Sequence, residues 1–406
     1  MIKSIMRSFI TMSITKAILI VIPFVIYPYL IRNFGPATYG KYVYCMAILA
    51  FAQVIINYGF DLSGTKIIAE NIDSLNEKSR VFFNVFYLKI ALSFVVFILF
   101  ICLYIILELE VPLLLYLLCF VNIFLDCLYP TYFFTGIEKQ VQSLKIQITS
   151  KIIFIIFIFS LIDHNSNIYF IPFLGAITSF IGLIISFYFL IKNEISPKGI
   201  EIDLIISLFK GGGICFLSRV FSVINSKIGM VFLGAGVSST ALSYFDLSQK
   251  LIDLARVPID IINQIIFPKM VINKDIKLVV ITSVVFFIYG IAFVVGVYLF
   301  GEYAVLLLGG EQLIGATEYL VLLSWLVPLS ALSWVLGNNI LIAFGYDRYF
   351  LFSSISSTIF FLIYCVNFKL LGQISVEVIC DGMLLSAAWL FFTRLLLSFL
   401  VLRFKV

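Results

Sequence analysis

The sequence predicts an all-α integral membrane protein of about 12 transmembrane helices, and three observations carry that expectation. Hydrophobic residues make up 62% of the 406-residue chain against 12% charged, too little polar cover for the surface of a water-soluble domain of this length. Apolar segments recur about every 30 residues, and most approach the roughly 20 residues that a helix needs to cross the hydrocarbon core. The segments are continuous rather than alternating, which excludes a barrel of strands of about 10 residues.

Taken in order, the spans are expected at 9–31, 43–60, 82–107, 112–134, 148–162, 168–191, 211–236, 241–267, 278–300, 317–343, 350–370 and 375–401. Lys3 and Arg7 precede the first span as in a signal peptide, but no small-residue cleavage site follows, so the segment is expected to stay as a helix. The connection 192–210 separates six spans from six. It predicts an N-terminal six-helix bundle at 1–191 and a C-terminal one at 211–406, since paired bundles are a common transporter plan. Within it, GIEIDLIISLF sets Ile202, Ile205, Ile206 and Phe209 at helical spacing. That fits either an interfacial amphipathic helix or an early start of the seventh span. The run GGG at 211–213 lacks the strand and the Lys-Ser/Thr pair of a nucleotide loop, and a hinge is expected there.

Orientation follows from Lys and Arg in the connections. With the N-terminus inside, about 17 cations, Lys66, Lys78, Arg80, Lys139 and Lys145 among them, fall on the cytoplasmic side, and Arg32, Lys41 and Lys369 on the other. Both termini are therefore expected in the cytoplasm, which requires an even number of spans. The seven cysteines show no CxxC spacing and the chain has a single histidine, His164, so no metal site, disulfide or cofactor is expected.

Charges inside the spans are costly and face a bundle interior or an aqueous cavity. The seventh span holds Arg219 and Lys227 on one face. In the eighth, Asp246, Gln249, Lys250, Asp253, Arg256 and Asp260 fall on one polar stripe, with opposite signs at helical pairing distances of three and four. Two readings stand: a salt-bridge ladder that fastens helices, or the wall of a hydrophilic cavity for an anionic, sugar-rich cargo, in which the cations meet phosphate. Lys16, Lys89 and Arg394 lie near helix ends, where snorkelling is the expectation. The longest outward loop is about 16 residues, which disfavours an enzyme acting on lipid-linked sugar. No hydrolase, protease or nucleotide motif is present.

Four stretches carry a resemblance: YLIRNFGPATYGKY (29–42), NYGFDLSGTKIIAE (57–70), LYPTYFFTGIEKQ (128–140) and LGAGVSSTALSYFDLSQKLIDLARVPIDIINQIIFP (233–268). In order and spacing they resemble the Wzx-type polysaccharide repeat-unit flippases of the multidrug/oligosaccharidyl-lipid/polysaccharide exporter superfamily. Asp61, Thr135, Gln140, Phe245 and Asp246 depart from that pattern. The resemblance implies a V-shaped, MATE-like fold of two six-helix bundles with alternating access. The implied cargo is oligosaccharide on undecaprenyl pyrophosphate, for O-antigen or capsule, moved with help from a proton or cation gradient. Implied partners are membrane lipid, a polysaccharide polymerase and a chain-length regulator, with no nucleic acid. On this view Arg219, Lys227, Lys250, Arg256 and Lys16 bind the cargo, and Asp246, Asp253, Asp260 and Asp61 hold the cations or couple the ion. The rivals are a multidrug/cation antiporter of the same superfamily and a membrane polysaccharide polymerase or ligase.

Overall fold

The computed structural model describes the backbone of residues 2–164 and 166–403, and side chains from Val21 onward except Asn165 and Gln264. Lys16 therefore lies outside the described side chains. In chain order the helices are α1 (Ile2–Asn57), α2 (Phe60–Glu70), α3 (Leu75–Ile106), α4 (Leu113–Cys127), α5 (Thr131–Gly136), α6 (Gln140–Leu161) and α7 (Phe170–Lys192). They continue with α8 (Ile202–Gly236), α9 (Ser239–Asn273), α10 (Ile276–Gly309), α11 (Ala316–Ser324), α12 (Leu326–Trp334), a π-helical turn (Val335–Ile342), α13 (Asp347–Leu370) and α14 (Val376–Arg403).

Ten stretches among the described residues are long and apolar enough to cross a membrane. The first of them bends at Gly35, where φ is 72°. The following Pro36 keeps its predecessor out of the helical region and itself suits a helix start, so α1 supplies two rods. The 35-residue α9 makes a further long rod and is left out of the ten by its charges. Twelve rods result among the described residues, as expected. The lipid-facing reading agrees with burial: Phe94, Ile105, Leu396 and Phe399 are each more than 60% exposed, whereas much of the buried polar set is Ser, Thr and Asn. This is the reverse of a water-soluble surface.

The chain divides into two compact units. Unit 1 comprises 1–34 and 45–223, and unit 2 comprises 35–44 and 224–406. The division falls inside α8, and residues 192–210 stay with unit 1. Of the two readings of GIEIDLIISLF, the early start of a span describes the structure, because α8 runs unbroken from Ile202. Its Leu208 is buried in a core with Phe60, Ile68, Val81, Phe82, Val85 and Tyr132, and Leu204 and Phe209 pack against that core. The link before α8 is strapped down on its polar side. Arg80 holds Glu201 with two guanidinium hydrogen bonds, the one from Nε at 2.7 Å, and also pairs with Glu77. Asn84 Nδ2 donates to the Gly199 carbonyl at 3.2 Å, and its Oδ1 accepts from the Glu201 amide at 2.8 Å. The Arg80 hydrogen bonds hold the Glu201 carboxyl below its usual range.

The GGG run does not break α8. Gly212 packs on Gly59, whose φ of 116° closes the turn between α1 and α2, and a Cβ on Gly59 would sit 2.4 Å from the Gly212 carbonyl oxygen. Close helix approach explains these glycines in place of the expected hinge. In unit 2, α9 continues through Pro258 and Pro268 to Asn273, beyond the expected end. The tenth expected span is broken into α11, α12 and the π-helical turn, around Pro328 and Gly337.

Candidate functional site

In unit 1 the turn at Tyr58 and Gly59, both with positive φ, starts α2 so that Asp61 lies in its first turn. Asp61 Oδ2 accepts from Arg219 Nη1 of α8 at 2.8 Å, with both side chains about one-third exposed. Thr65 Oγ1 donates to the Asp61 and Tyr132 carbonyls, at 2.5 and 3.1 Å, which ties α2 to α5. Behind the pair, Lys89 of α3 is 1% exposed and donates to the Cys127 carbonyl at 2.7 Å, its ammonium 5.5 Å from the Tyr132 ring centre. Beside them opens a cavity of about 190 Å³ whose lining includes Gln53, Asn57, Asp61, Asp126, Gln147 and Lys151.

In unit 2 the polar stripe of α9 is realised as local pairs. Asp246, 5% exposed, pairs with Lys250, whose ammonium also reaches the Tyr39 hydroxyl at 2.9 Å. Arg256 pairs with Asp253 at 3.3 Å and donates to Ser330 Oγ of α12 at 3.2 Å. Gln249 Nε2 donates to the Ser226 carbonyl of α8 at 3.2 Å. Asp246–Lys250 and Asp253–Arg256 are each within hydrogen-bond or ion-pair range along one helix. Asp260 Oδ1 and both amide atoms of Asn263 are buried with no hydrogen-bond partner among the described residues. Lys227 makes no ion pair with a described residue. Arg219 and Lys227, expected on one helical face, belong to different units.

The four signature stretches meet two by two. The second and third, around Asp61 and Tyr132, join through α2 and α5 in unit 1. The first and fourth join in unit 2, where Ser243 Oγ donates to the Pro36 carbonyl at 2.6 Å and Tyr39 meets Lys250. Gly40 lies so close to the start of α9 that a Cβ there would be 1.8 Å from the Ser239 carbonyl oxygen, which explains the glycine in the first stretch.

Two buried cations correct the snorkelling expectation. Besides Lys89, Arg394 of α14 is 3% exposed and donates to Ser353 Oγ, Ser354 Oγ and the Ser333 carbonyl at 2.9–3.2 Å, with its guanidinium 4.4 Å from the Phe350 ring centre. A signal existed in the sequence: each has a serine one helical turn on, Ser93 and Ser398, and both serines are buried on the same stripe. Of the cavity residues, Gln147 and Lys151 lie at the start of the expected span 148–162, where polar residues are ordinary, whereas Asp126 lies inside the span 112–134 and is a carboxylate the sequence could have marked.

The family described as "Polysaccharide biosynthesis protein" matches residues 5–274. A protein of Escherichia coli (strain K12) named "Putative O-antigen transporter" is 22% identical over 86% of each chain. A protein of the same name from Shigella dysenteriae is 23% identical over 80% of this chain and 83% of its own. Among solved structures, the lipid II flippase MurJ in an inward closed conformation aligns with a TM-score of 0.73 at 16% identity, over 96% of this chain and 90% of its own. An inward-facing multidrug resistance MATE family transporter of the MOP superfamily aligns at 0.72 and 12% identity, over 95% and 96%. The fold is that of the MATE and MurJ transporters, and, with more than half of its length matched, the chain belongs to the polysaccharide biosynthesis protein family.

Proposed function

We propose that this protein is a flippase that carries an oligosaccharide on undecaprenyl pyrophosphate, an O-antigen or capsule repeat unit, from the cytoplasmic to the outer leaflet of the bacterial inner membrane. Family membership over residues 5–274 carries the reading. Support comes from relatives named as O-antigen transporters that run collinear with four-fifths or more of the chain, and from a fold shared with a protein named as a lipid II flippase. Transport proceeds by alternating access and draws on a proton or cation gradient, and the product passes to a polymerase and its chain-length regulator.

The charges fit an anionic headgroup. Lys227, which has Asp253 as an electrostatic neighbour but makes no ion pair among the described residues, can turn to a phosphate oxygen without breaking one. Arg219, Lys250 and Arg256 each hold a carboxylate that a phosphate would displace through stronger charge-assisted hydrogen bonds. The freed carboxylates, Asp61, Asp246 and Asp253, then become able to take a proton or cation, which links cargo to gradient. Asp260, with a buried oxygen that has no hydrogen-bond partner among the described residues, suits the same task.

The test is deletion of the gene followed by complementation with wild type or with Arg219→Ala, Lys227→Ala, Lys250→Ala or Arg256→Ala at equal protein level. Deletion is expected to abolish surface polysaccharide, and at least two of the variants to restore less than about a tenth of it. Full restoration by all four would remove the role proposed for these cations. Efflux of a cationic dye with surface polysaccharide unchanged by deletion would replace the reading with drug export.

A further inference from the structure

We infer that the cavity inside unit 1 is a recognition pocket for one sugar residue of the cargo; this rests on the flippase reading and adds to it a site for the glycan apart from the pyrophosphate. The cavity measures about 190 Å³, an order of magnitude above the roughly 10–15 Å³ that a single water occupies by the same kind of measure. That is space for a sugar ring rather than for a bare ion. Its lining comes from the end of α1, the start of α2, the end of α4, the start of α5 and the middle of α6 and α7. Every lining residue belongs to unit 1.

Three ligand chemistries compete for such a space, and the lining separates them. A metal cation wants oxygen ligands and uncompensated negative charge. Here Asp61 already faces Arg219 at 2.8 Å, no group of three or more His, Cys, Asp or Glu side chains gathers to hold a metal among the described residues, and Gln53, Asn57 and Gln147 bring amide N–H donors beside their oxygens, a pairing that suits a hydroxyl better than a cation. A phosphate wants cations or backbone N–H groups, and two carboxylates in one small cavity repel it. A sugar hydroxyl both donates and accepts. Carboxylates beside amides and a lysine, with Thr131, Thr178 and Ser179 added, provide both kinds of partner, and Arg219, paired with Asp61, offsets the one carboxylate in excess of Lys151.

The internal bonding leaves these groups available. Gln53 and the Asp126 carboxylate make no hydrogen bond with a described residue, and Lys151 makes no ion pair with one. Gln147 spends one amide proton on Ser143 Oγ at 3.4 Å, and Asn57 one on Cys127 Sγ at 3.6 Å, both long contacts that a hydroxyl ligand would outbid. Asp126 and Gln147 are therefore the positions where a change alters recognition with least damage to packing.

The experiment uses the full-length protein in detergent, with the probe being the repeat-unit oligosaccharide released by mild acid from the cell's own surface polysaccharide. Thermal unfolding is followed with the probe, and separately with sodium and potassium chloride at matched ionic strength. We expect the oligosaccharide to raise the unfolding midpoint of wild type. Asp126→Asn and Gln147→Ala should lose at least three-quarters of that shift while unfolding normally without probe, and Lys198→Ala should keep all of it. In cells, the two variants should lower surface polysaccharide by at least fivefold. Equal shifts in wild type and both variants, or a shift given by sodium alone and lost in Asp126→Asn, would overturn the pocket assignment. Loss of surface polysaccharide on gene deletion would leave the flippase reading standing in either case, and its persistence would end both.

Discussion

Lys89 and Arg394 are cationic side chains almost wholly removed from solvent, and among the described residues no carboxylate forms an ion pair with either. Each is held by oxygen dipoles and an aromatic face instead. For Arg394 the three hydrogen bonds diverge from one planar group toward α12 and α13, so the shape of the guanidinium matters as well as its charge. This separates two substitutions that charge alone would rank the other way. Arg394→Lys keeps the desolvation cost but cannot reach Ser353, Ser354 and the Ser333 carbonyl together, and a buried charge stripped of its partners costs roughly 3–5 kcal/mol. Arg394→Met removes the charge with much of the volume kept, and is expected to stay within about 2 kcal/mol. Thermal unfolding of the purified protein checks the order, and a lysine variant as stable as the methionine one would reject the fork argument. The sequence hid these residues because a lone cation in an apolar run reads alike whether it snorkels or turns inward. Only the companion serines at the next turn, Ser93 and Ser398, mark the inward stripe.

At the level of elements, the polar stripe of α9 was legible because periodicity and alternating sign are written within one helix, and its Asp246–Lys250 and Asp253–Arg256 pairs are local. The Arg80–Glu201 strap was not, since its partners lie 121 residues apart and nothing in either segment points to the other. It has a pH signature with a definite sign. The Arg80 hydrogen bonds depress the Glu201 carboxyl, so the strap is complete above the ordinary glutamate value of about 4.3. It is lost only as pH falls through the lower, folded value. Amide exchange over 193–201 should therefore stay protected from neutral pH down to about pH 5 and open in stronger acid, whereas Arg80→Ala should leave it unprotected throughout. Protection that fades between pH 7 and 6 would assign it to another group. The π-helical turn at Val335–Ile342 was equally hidden, because Pro328 and Gly337 read as ordinary small interruptions of an apolar run.

For the molecule as a whole, the rods were legible and the units less so. Hydropathy marks where a helix enters lipid but not which rods pack together, so a connection at 192–210 looked like a boundary, although the division falls between Val223 and Ile224 and sends 35–44 to unit 2. The reason is physical: close approaches such as Gly40 on Ser239 and the bond from Ser243 to Pro36 join residues some 200 positions apart. Orientation rests on a different quantity, the asymmetry of Lys and Arg between the two sets of connections. Short cationic loops resist translocation, and about 17 cations on one set against Arg32, Lys41 and Lys369 on the other leave little balance to tip. With twelve rods the two ends share a side, so a fluorescent protein that folds only in the cytoplasm should glow when fused after Val406, and alkaline phosphatase fused there should be inactive. Phosphatase fused after Glu110 or Glu311, in the acidic connections, should be active. Activity after Val406 together with inactivity after Glu311 would invert the chain in the membrane. The strap and the sugar pocket of unit 1, whose Asp61, Asp126 and Lys151 lie toward the cation-rich connections, would then face away from the leaflet where the proposed cargo is made.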